Sequence, residues 1–120
     1  MTAFAPGLNI AMKLPERHFE ATKAFYRNTL GLDVTDVSSG AKVAFGGVTL
    51  WLDRVPHQSQ TDLWLEVRAP DVAAARRHLE SAGVATCDEV EQLPDDFDGF
   101  WIAAPSGTIH LVCGEKTEGP

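Results

Sequence analysis

Apolar residues recur at helical spacing in two segments of the chain. In residues 16–30 the pattern occupies positions 19, 22, 26 and 30, and Gly31 ends it. In the second segment Asp71 is a favourable N-terminal cap, and positions 72, 75, 79 and 82 repeat the spacing up to Gly83. The pattern therefore predicts two amphipathic helices.

A strand-like run precedes each predicted helix, and three shorter runs follow it, separated by turn residues. The first set is LNIAMKL (8–14), LDVTDV (32–37), AKVAF (41–45) and VTLWLD (48–53). The second set is TDLWLEVR (61–68), VATCDEV (84–90), GFWIAA (99–104) and TIHLVC (108–113). Phe19 aligns with Val72 and Tyr26 with Leu79, a constant offset of 53 residues. The order βαβββ therefore occurs twice as an internal repeat.

These elements predict an α+β fold in one domain, residues 1–120, with modules at about 7–54 and 61–114. The polar stretch 54–60 is the expected linker. A ferredoxin-like βαββαβ domain is the competing architecture, but it has two strands between its helices and one after the second. Here four strand runs lie between the helices and three follow the second, so the repeat is favoured.

Strand alternation assigns side chains to two faces of the predicted sheet. The face toward the helices takes the apolar positions Leu8, Ile10, Met12, Leu14, Val48, Leu50, Leu52, Leu63, Leu65, Val67, Ile109, Leu111 and Cys113. The opposite face takes Asn9, Ala11, Lys13, Thr49, Trp51, Asp53, Asp62, Trp64, Glu66, Arg68, His110 and Val112. Two tryptophans on a face without a helix indicate either a ligand pocket or a subunit interface.

Charge and composition narrow the function classes. The formal charge of −7 and pI near 4.9 argue against nucleic-acid binding, because the chain has no basic surface to neutralise phosphates. No apolar run reaches the roughly 18–20 residues that cross a bilayer, and the start MTAFAPGLNI lacks the pattern of a secretory signal. The expected location is the cytoplasm, where Cys87 and Cys113 are expected as small apolar side chains rather than a disulfide.

Three segments resemble the vicinal oxygen chelate superfamily, which includes glyoxalase I, bleomycin resistance proteins and extradiol dioxygenases. FEATKAFYRNTLGLDV (19–34) is similar to the first helix and turn of that superfamily. LEVRAPDVAAARRHLESAGV (65–84) resembles its second strand–helix pair, and FWIAAPSGTIHLV (100–112) its closing hairpin. The resemblance implies two βαβββ modules forming a cup-shaped mixed sheet, with the helices packed on the outside.

The resemblance also implies positions for metal ligands on four strands. The histidine or glutamate that is usual at each position corresponds to Ala11 or Asn9 on the first of these strands and to Trp51 on the second. It corresponds to Asp62 or Trp64 on the third strand and to His110 on the fourth. Only Asp62 and His110 are good donors among these, so the chain is about one ligand short of the usual three. Divalent iron, nickel, manganese or zinc are the metals that the resemblance allows.

Two hypotheses follow for function. In the first, a homodimer binds a small planar or aromatic molecule without an essential metal. Its pocket is lined by Trp51, Trp64 and Trp101, with Asn9, Asp62 and His110 orienting polar groups. The acidic Asp53, Asp62, Glu66 and 95–98 loop favour a cationic ligand. In the alternative, the protein is a metal-dependent lyase, isomerase or dioxygenase for a substrate with vicinal oxygens, with Asp62 and His110 as ligands and Glu66 as general base. The sequence does not decide whether the protein is an enzyme.

Overall fold

Residues 3–114 are the part of the chain that the computed structural model describes, and they form nine strands and two α-helices. In chain order the elements are β1 (Ala5–Pro6), β2 (Asn9–Leu14), α1 (Glu16–Ala24), β3 (Val34–Val37), β4 (Gly40–Phe45), β5 (Val48–Arg54), β6 (Asp62–Ala69), α2 (Val72–Ser81), β7 (Ala85–Thr86), β8 (Gly99–Ala103) and β9 (Ile109–Gly114). Within this part of the chain, neither helix has the length and hydropathy required to span a membrane.

The chain divides into two compact units, and strand β6 contributes its first residues to one and its last residues to the other. The N-terminal module, residues 8–64, has the strand order β3-β4-β5-β2-β6. Strand β2 pairs in parallel with β5 and antiparallel with β6, while β3, β4 and β5 form an antiparallel meander. The predicted βαβββ order is confirmed as β2-α1-β3-β4-β5.

Helix α1 covers one face of the N-terminal module. Its Phe19 is buried in a core with the strand residues Leu14, Ala41, Val43, Leu50 and Leu52. The predicted helix over 16–30 is α-helical only as far as Ala24, and a π-helical turn, Phe25–Thr29, completes it before Gly31 turns the chain at φ 70°. Glycine accepts this left-handed conformation because it has no β-carbon.

The C-terminal module contains residues 3–7 and 65–114 and has the strand order β1-β6-β9-β8-β7. Strands β6 and β9 are parallel and the other pairs antiparallel. Helix α2 begins as predicted at Asp71, whose side chain accepts a hydrogen bond from the amide of Ala74 at 3.0 Å. Its core consists of Ala69, Val72, Ala75, Phe100, Ile102 and Val112.

Several details of the predicted strands are wrong. The run 84–90 forms a strand only at Ala85–Thr86, followed by a 3₁₀ turn at Asp88–Val90, and the short β1 has no counterpart in the prediction. Leu8, Leu63 and Leu65, expected in the core, are 57%, 46% and 37% exposed. None of the three belongs to the two core clusters, because the helices pack over neighbouring strand positions instead.

The predicted faces of the last strand are reversed. Val112 pairs with Val67 and Phe100 and lies in the core beneath α2. His110 is therefore on the α2 side as well, whereas Leu111 and Cys113 lie on the opposite side. The sequence could not show this, since Leu111, Val112 and Cys113 are all buried and a strand covered on both faces has no polar alternation.

Candidate functional site

The two tryptophans Trp51 and Trp64 lie on the face of the N-terminal module opposite α1. Trp51 on β5 and Trp64 on β6 both pair with Ala11 on the central strand β2. Residues in register across a sheet share a face, so this row of side chains is continuous, as strand alternation predicted. We call this face, with Asn9, Ala11, Lys13, Lys42, Trp51, Asp53, Asp62 and Trp64, the tryptophan face.

Hydrogen bonds hold both indole rings by their polar edges. The Nε1 of Trp51 donates to Asn9 Oδ1 at 2.7 Å, and the Nε1 of Trp64 donates to Asp62 Oδ2 at 3.0 Å. Trp64 is buried, with 8% exposure, whereas Trp51 is half-buried. Ala11 between them is small, which keeps its own side chain below the level of the rings. Because Trp51 is only half-buried and Trp64 is 8% exposed, Trp51 offers the more accessible aromatic surface.

Lys13 places a buried positive charge on the same face. The residue is 3% exposed, and its Nζ lies 2.7 Å from Asp53 Oδ2 and 4.4 Å from the centroid of a Trp64 ring. The parallel pairing of β2 and β5 sets this ion pair, because Lys13 and Asp53 are opposite each other in register. An ammonium over an indole face adds a favourable cation–π interaction.

The local charge differs from what the overall charge of −7 suggested. Asp53 is paired with Lys13, and a second cation, Lys42, lies 5.9 Å from a Trp51 ring centroid. In the C-terminal module, Glu66 is paired with Arg68. The expectation that acidic side chains would select a cationic ligand is therefore not supported by the tryptophan face, which carries lysines as well as aspartates.

A pocket of about 180 Å³ opens beside Trp51 on this face. Lys42 connects the pocket to Trp51, because it pairs with Trp51 in register and also lines the pocket. The lining residues are Asp33, Thr35, Lys42, Val43, Ala44 and Thr49. Thr35 and Lys42 are not among the site residues predicted from the sequence, although the alternation in 41–45 was a signal that could have placed Lys42 opposite the core residues Ala41 and Val43.

The other predicted site residues lie in the C-terminal module. Glu66 is buried, and its Oε1 accepts a hydrogen bond from Arg68 Nε at 3.2 Å. Gly7 packs against it so closely that a β-carbon there would lie 2.3 Å from Glu66 Oε1. Trp101 is 2% exposed and donates from Nε1 to the carbonyl oxygen of Glu91 at 2.9 Å. A ring this deeply buried serves the packing of the module.

His110 lies on the opposite face of this sheet from Glu66. Glu66 and Trp101 both pair with Leu111, whereas His110 pairs with Leu65 and Ile102. The Nδ1 of His110 is 3.0 Å from the carbonyl oxygen of Thr108. The expectation that His110 joins the carboxylates of the inner face is therefore wrong, and Leu111 occupies the corresponding position.

The residues present do not fit the divalent ion that the superfamily resemblance implies. Three of the implied positions, Ala11, Trp51 and Trp64, carry no oxygen or imidazole donor, and Asp62 accepts the indole hydrogen bond of Trp64. The ammonium of Lys13 on the same face opposes a second cation. Across residues 3–114, no group of three or more His, Cys, Asp and Glu could hold a metal ion.

Cys113 has a strongly perturbed thiol. Burial, the largest cause, and the negative charge of Glu66 together raise its pKa from 9.0 to about 12, and the positive charge of Arg68 offsets only part of this rise. At pH 8 only about one thiol in ten thousand is then ionised, so Cys113 is not a nucleophile. Its role is packing, as the sequence predicted for both cysteines.

This shift predicts a loss of stability at alkaline pH. The unfolded chain releases the thiol proton near pH 9 and the folded chain only near pH 12, so the contribution of Cys113 is complete below pH 9 and is lost as the pH rises to 12. Between pH 8 and 10.5 we expect the unfolding free energy to fall by about 2 kcal/mol more than in Cys113→Ala. Urea titrations at both pH values measure this, and equal losses in the two proteins would contradict it.

Comparisons with known proteins give one family and several similar structures. The glyoxalase-like domain family matches residues 10–113. The Mn(II)-bound glyoxalase from Novosphingobium aromaticivorans is 20% identical with a TM-score of 0.68, over 100% of this chain and 44% of that one. Methylmalonyl-CoA epimerase from Mycobacterium tuberculosis is 16% identical with a TM-score of 0.60, over 91% and 87% of the two chains. Homoprotocatechuate 2,3-dioxygenase from Arthrobacter globiformis is 17% identical with a TM-score of 0.64, over 98% and 38%.

At these identities the similar structures share the fold with this chain. The chain spans less than half the length of the glyoxalase and of the dioxygenase, at 44% and 38%. A comparison with curated proteins finds no significant match. The family match extends over both βαβββ modules, from the first residues of β2 to Cys113 in β9. The chain therefore belongs to the glyoxalase-like domain family, within the vicinal oxygen chelate superfamily.

Proposed function

We propose that this protein binds a small planar or aromatic molecule on the tryptophan face, without an essential divalent metal. The observation that carries the proposal is Trp51, a half-buried indole whose Nε1 donates to Asn9 and whose neighbour in register, Lys42, lines the 180 Å³ pocket. A ring held in one orientation loses little freedom when a ligand stacks on it, and this lowers the cost of binding. Trp64, Asp62 and Lys13 lie on the same face of the sheet as Trp51.

The metal-dependent enzyme is the alternative. It draws support from the fold that this chain shares with an Mn(II)-bound glyoxalase. The side chains of the tryptophan face argue against it, because tryptophan and alanine stand at three implied ligand positions and a lysine lies among the carboxylates. A binding experiment with and without metal separates the two.

The indole NMR signals of the three tryptophans provide that experiment. Uniformly ¹⁵N-labelled, chelator-treated protein is titrated with phenol, catechol, benzoate and quinoline, and the three Nε1–H cross-peaks are assigned by single Trp→Phe variants. We expect the Trp51 signal to shift and the signal of buried Trp101 to stay. Replacing Trp51 by alanine should weaken binding by roughly ten-fold or more, because stacking on an aromatic side chain contributes about 1–3 kcal/mol. In variants that lack Trp51, the affinity is measured from the backbone amide signals of the same ¹⁵N-labelled protein.

Phe25→Ala is the matched control, since it removes an exposed aromatic ring of the same module from a position on the π-helical turn. Its affinities should equal those of the wild type. Unchanged affinity in the Trp51→Ala, Trp64→Ala double variant would refute the proposal. Binding that requires added Mn(II), Fe(II), Ni(II) or Zn(II) would instead support the metal-dependent enzyme.

We also propose that the chain forms a homodimer. On strand β6, Leu63 exposes its apolar side chain on the helix side of the N-terminal module and Leu65 exposes its side chain in the C-terminal module, while Leu8 is exposed just before β2. Large exposed apolar side chains on strands favour burial against another chain. Sedimentation equilibrium should give twice the chain mass of 13.0 kDa, and a Leu63→Glu variant should sediment as a monomer. A wild-type protein that stays at 13.0 kDa would show that the dimer does not form.

A further inference from the structure

The pocket beside Trp51 has a composition that points to one class of ligand group. We infer that it binds the carboxylate of a small planar acid, with Lys42 as the anion-binding residue and with the ring of the acid directed toward Trp51. This inference rests on the proposed function and specifies its ligand.

The pocket lies within two adjacent rows of the tryptophan face. Thr35, Lys42 and Trp51 are in register across β3, β4 and β5, and Ala44 and Thr49 form the next row. Its volume of about 180 Å³ is below the roughly 300–1,000 Å³ of sites that enclose drug-sized molecules. The space therefore suits a polar substituent whose ring lies outside, and the lining residue Lys42 places its ammonium 5.9 Å from the centroid of a Trp51 ring.

Lys42 is the cation available to such a substituent. Lys13 is paired with Asp53, and Lys23 with Glu20 and Asp36. Lys42 forms no ion pair with any residue in 3–114, and its ammonium lies 5.9 Å from the centroid of a Trp51 ring. An incoming carboxylate would thus gain a charge-assisted hydrogen bond without displacing an existing ion pair.

The two threonines add hydroxyl donors to the same space. Thr35 and Thr49 both line the pocket, and their hydroxyl groups form no hydrogen bond with another described residue. A hydroxyl can rotate its hydrogen toward an anion, so each can donate to a carboxylate oxygen. Ala44 between them leaves room for that group. Asp33 also lines the pocket, and its negative charge weakens carboxylate binding.

Isosteric probes test the inference. Benzoate and benzamide have nearly the same shape and differ in charge, and their affinities are measured from the Trp51 indole signal. We expect benzoate to bind at least ten-fold more tightly than benzamide. This preference should disappear in Lys42→Met and persist in Lys42→Arg. It should also persist in the control Lys23→Met, which removes the same charge from helix α1 on the other face of the sheet.

The variant Asp33→Asn should change the affinity for benzoate in the direction opposite to Lys42→Met. Removing its charge should raise the affinity for benzoate by a few-fold and leave that for benzamide unchanged, whereas equal or weaker benzoate binding would overturn the inference. Equal affinities of the two probes in the wild type would also overturn it, while leaving the proposed function intact. Absence of any shift at Trp51 with both probes and with the neutral aromatics would remove both proposals together.

Discussion

Replacing Phe19 by alanine should lower the free energy of unfolding by about 3–5 kcal/mol, the cost of emptying a large buried site. Phe19 is 1% exposed and joins α1 to the core of the N-terminal module. The Arg54 guanidinium lies 4.2 Å from its ring centroid, so this side chain would also lose its contact. Removing the ring leaves a cavity between the helix and three strands that the small neighbour Ala41 cannot fill.

Phe25→Ala is the matched control for this prediction as well. It makes the same substitution at the end of the same helix, but Phe25 is 46% exposed, so the expected loss is below about 1 kcal/mol. Urea titration followed by tryptophan fluorescence measures the free energy of unfolding of both variants, which are compared on the condition that their m-values are equal. Similar losses at the two positions would mean that α1 is not anchored to the sheet through Phe19.

Much of the fold could be predicted from the sequence because its local signals agree with its tertiary structure. The three- and four-residue spacing in both helices matches the faces that are buried, and Asp71 caps α2 as expected. The short elements could not be predicted in this way. Strand β7 has two residues and β1 has two, too few for any alternation to be recognised, and tertiary pairing alone defines them.

The candidate site was predictable where one face of a strand is polar. Asn9, Trp51 and Trp64 alternate with apolar residues, so their common face followed from a period of two. His110 was misplaced because its neighbours are apolar on both sides. The pocket beside Trp51 could not be foreseen, since it depends on the pairing of β3 with β4 and of β4 with β5. No feature of the sequence gives the registers of those pairs.

The net charge of the sequence likewise does not predict the charges at the candidate site. A net charge of −7 describes the whole surface, whereas a ligand responds to the charges within about a Debye length, roughly 10 Å. On the tryptophan face Lys13 and Asp53, forty residues apart in the chain, neutralise each other. The free charge beside Trp51 then comes from Lys42 and Asp33, one of each sign. The preference of the site is set by this arrangement.

Lys13→Met should be the most damaging change on the tryptophan face. Lys13 forms an ion pair with Asp53 in which the lysine side chain is 4% exposed and the aspartate 21%. Removing one partner of a buried pair costs about 3–5 kcal/mol, and the partial exposure of Asp53 places the expected loss near about 3 kcal/mol. The control Lys23→Met breaks pairs with Glu20 and Asp36, which are largely exposed, and should cost at most about 1 kcal/mol.

The double variant Lys13→Met, Asp53→Leu decides what the ion pair contributes. If the loss in Lys13→Met comes from the unpaired Asp53 carboxylate, removing that carboxylate as well should restore part of the stability, since no charge of the pair remains buried. Urea titration of both variants and of Asp53→Leu completes the cycle. A double variant less stable than Lys13→Met would mean that the unpaired Asp53 carboxylate is not the source of the loss in Lys13→Met. The coupling energy therefore measures how much the ion pair contributes to the stability of the tryptophan face.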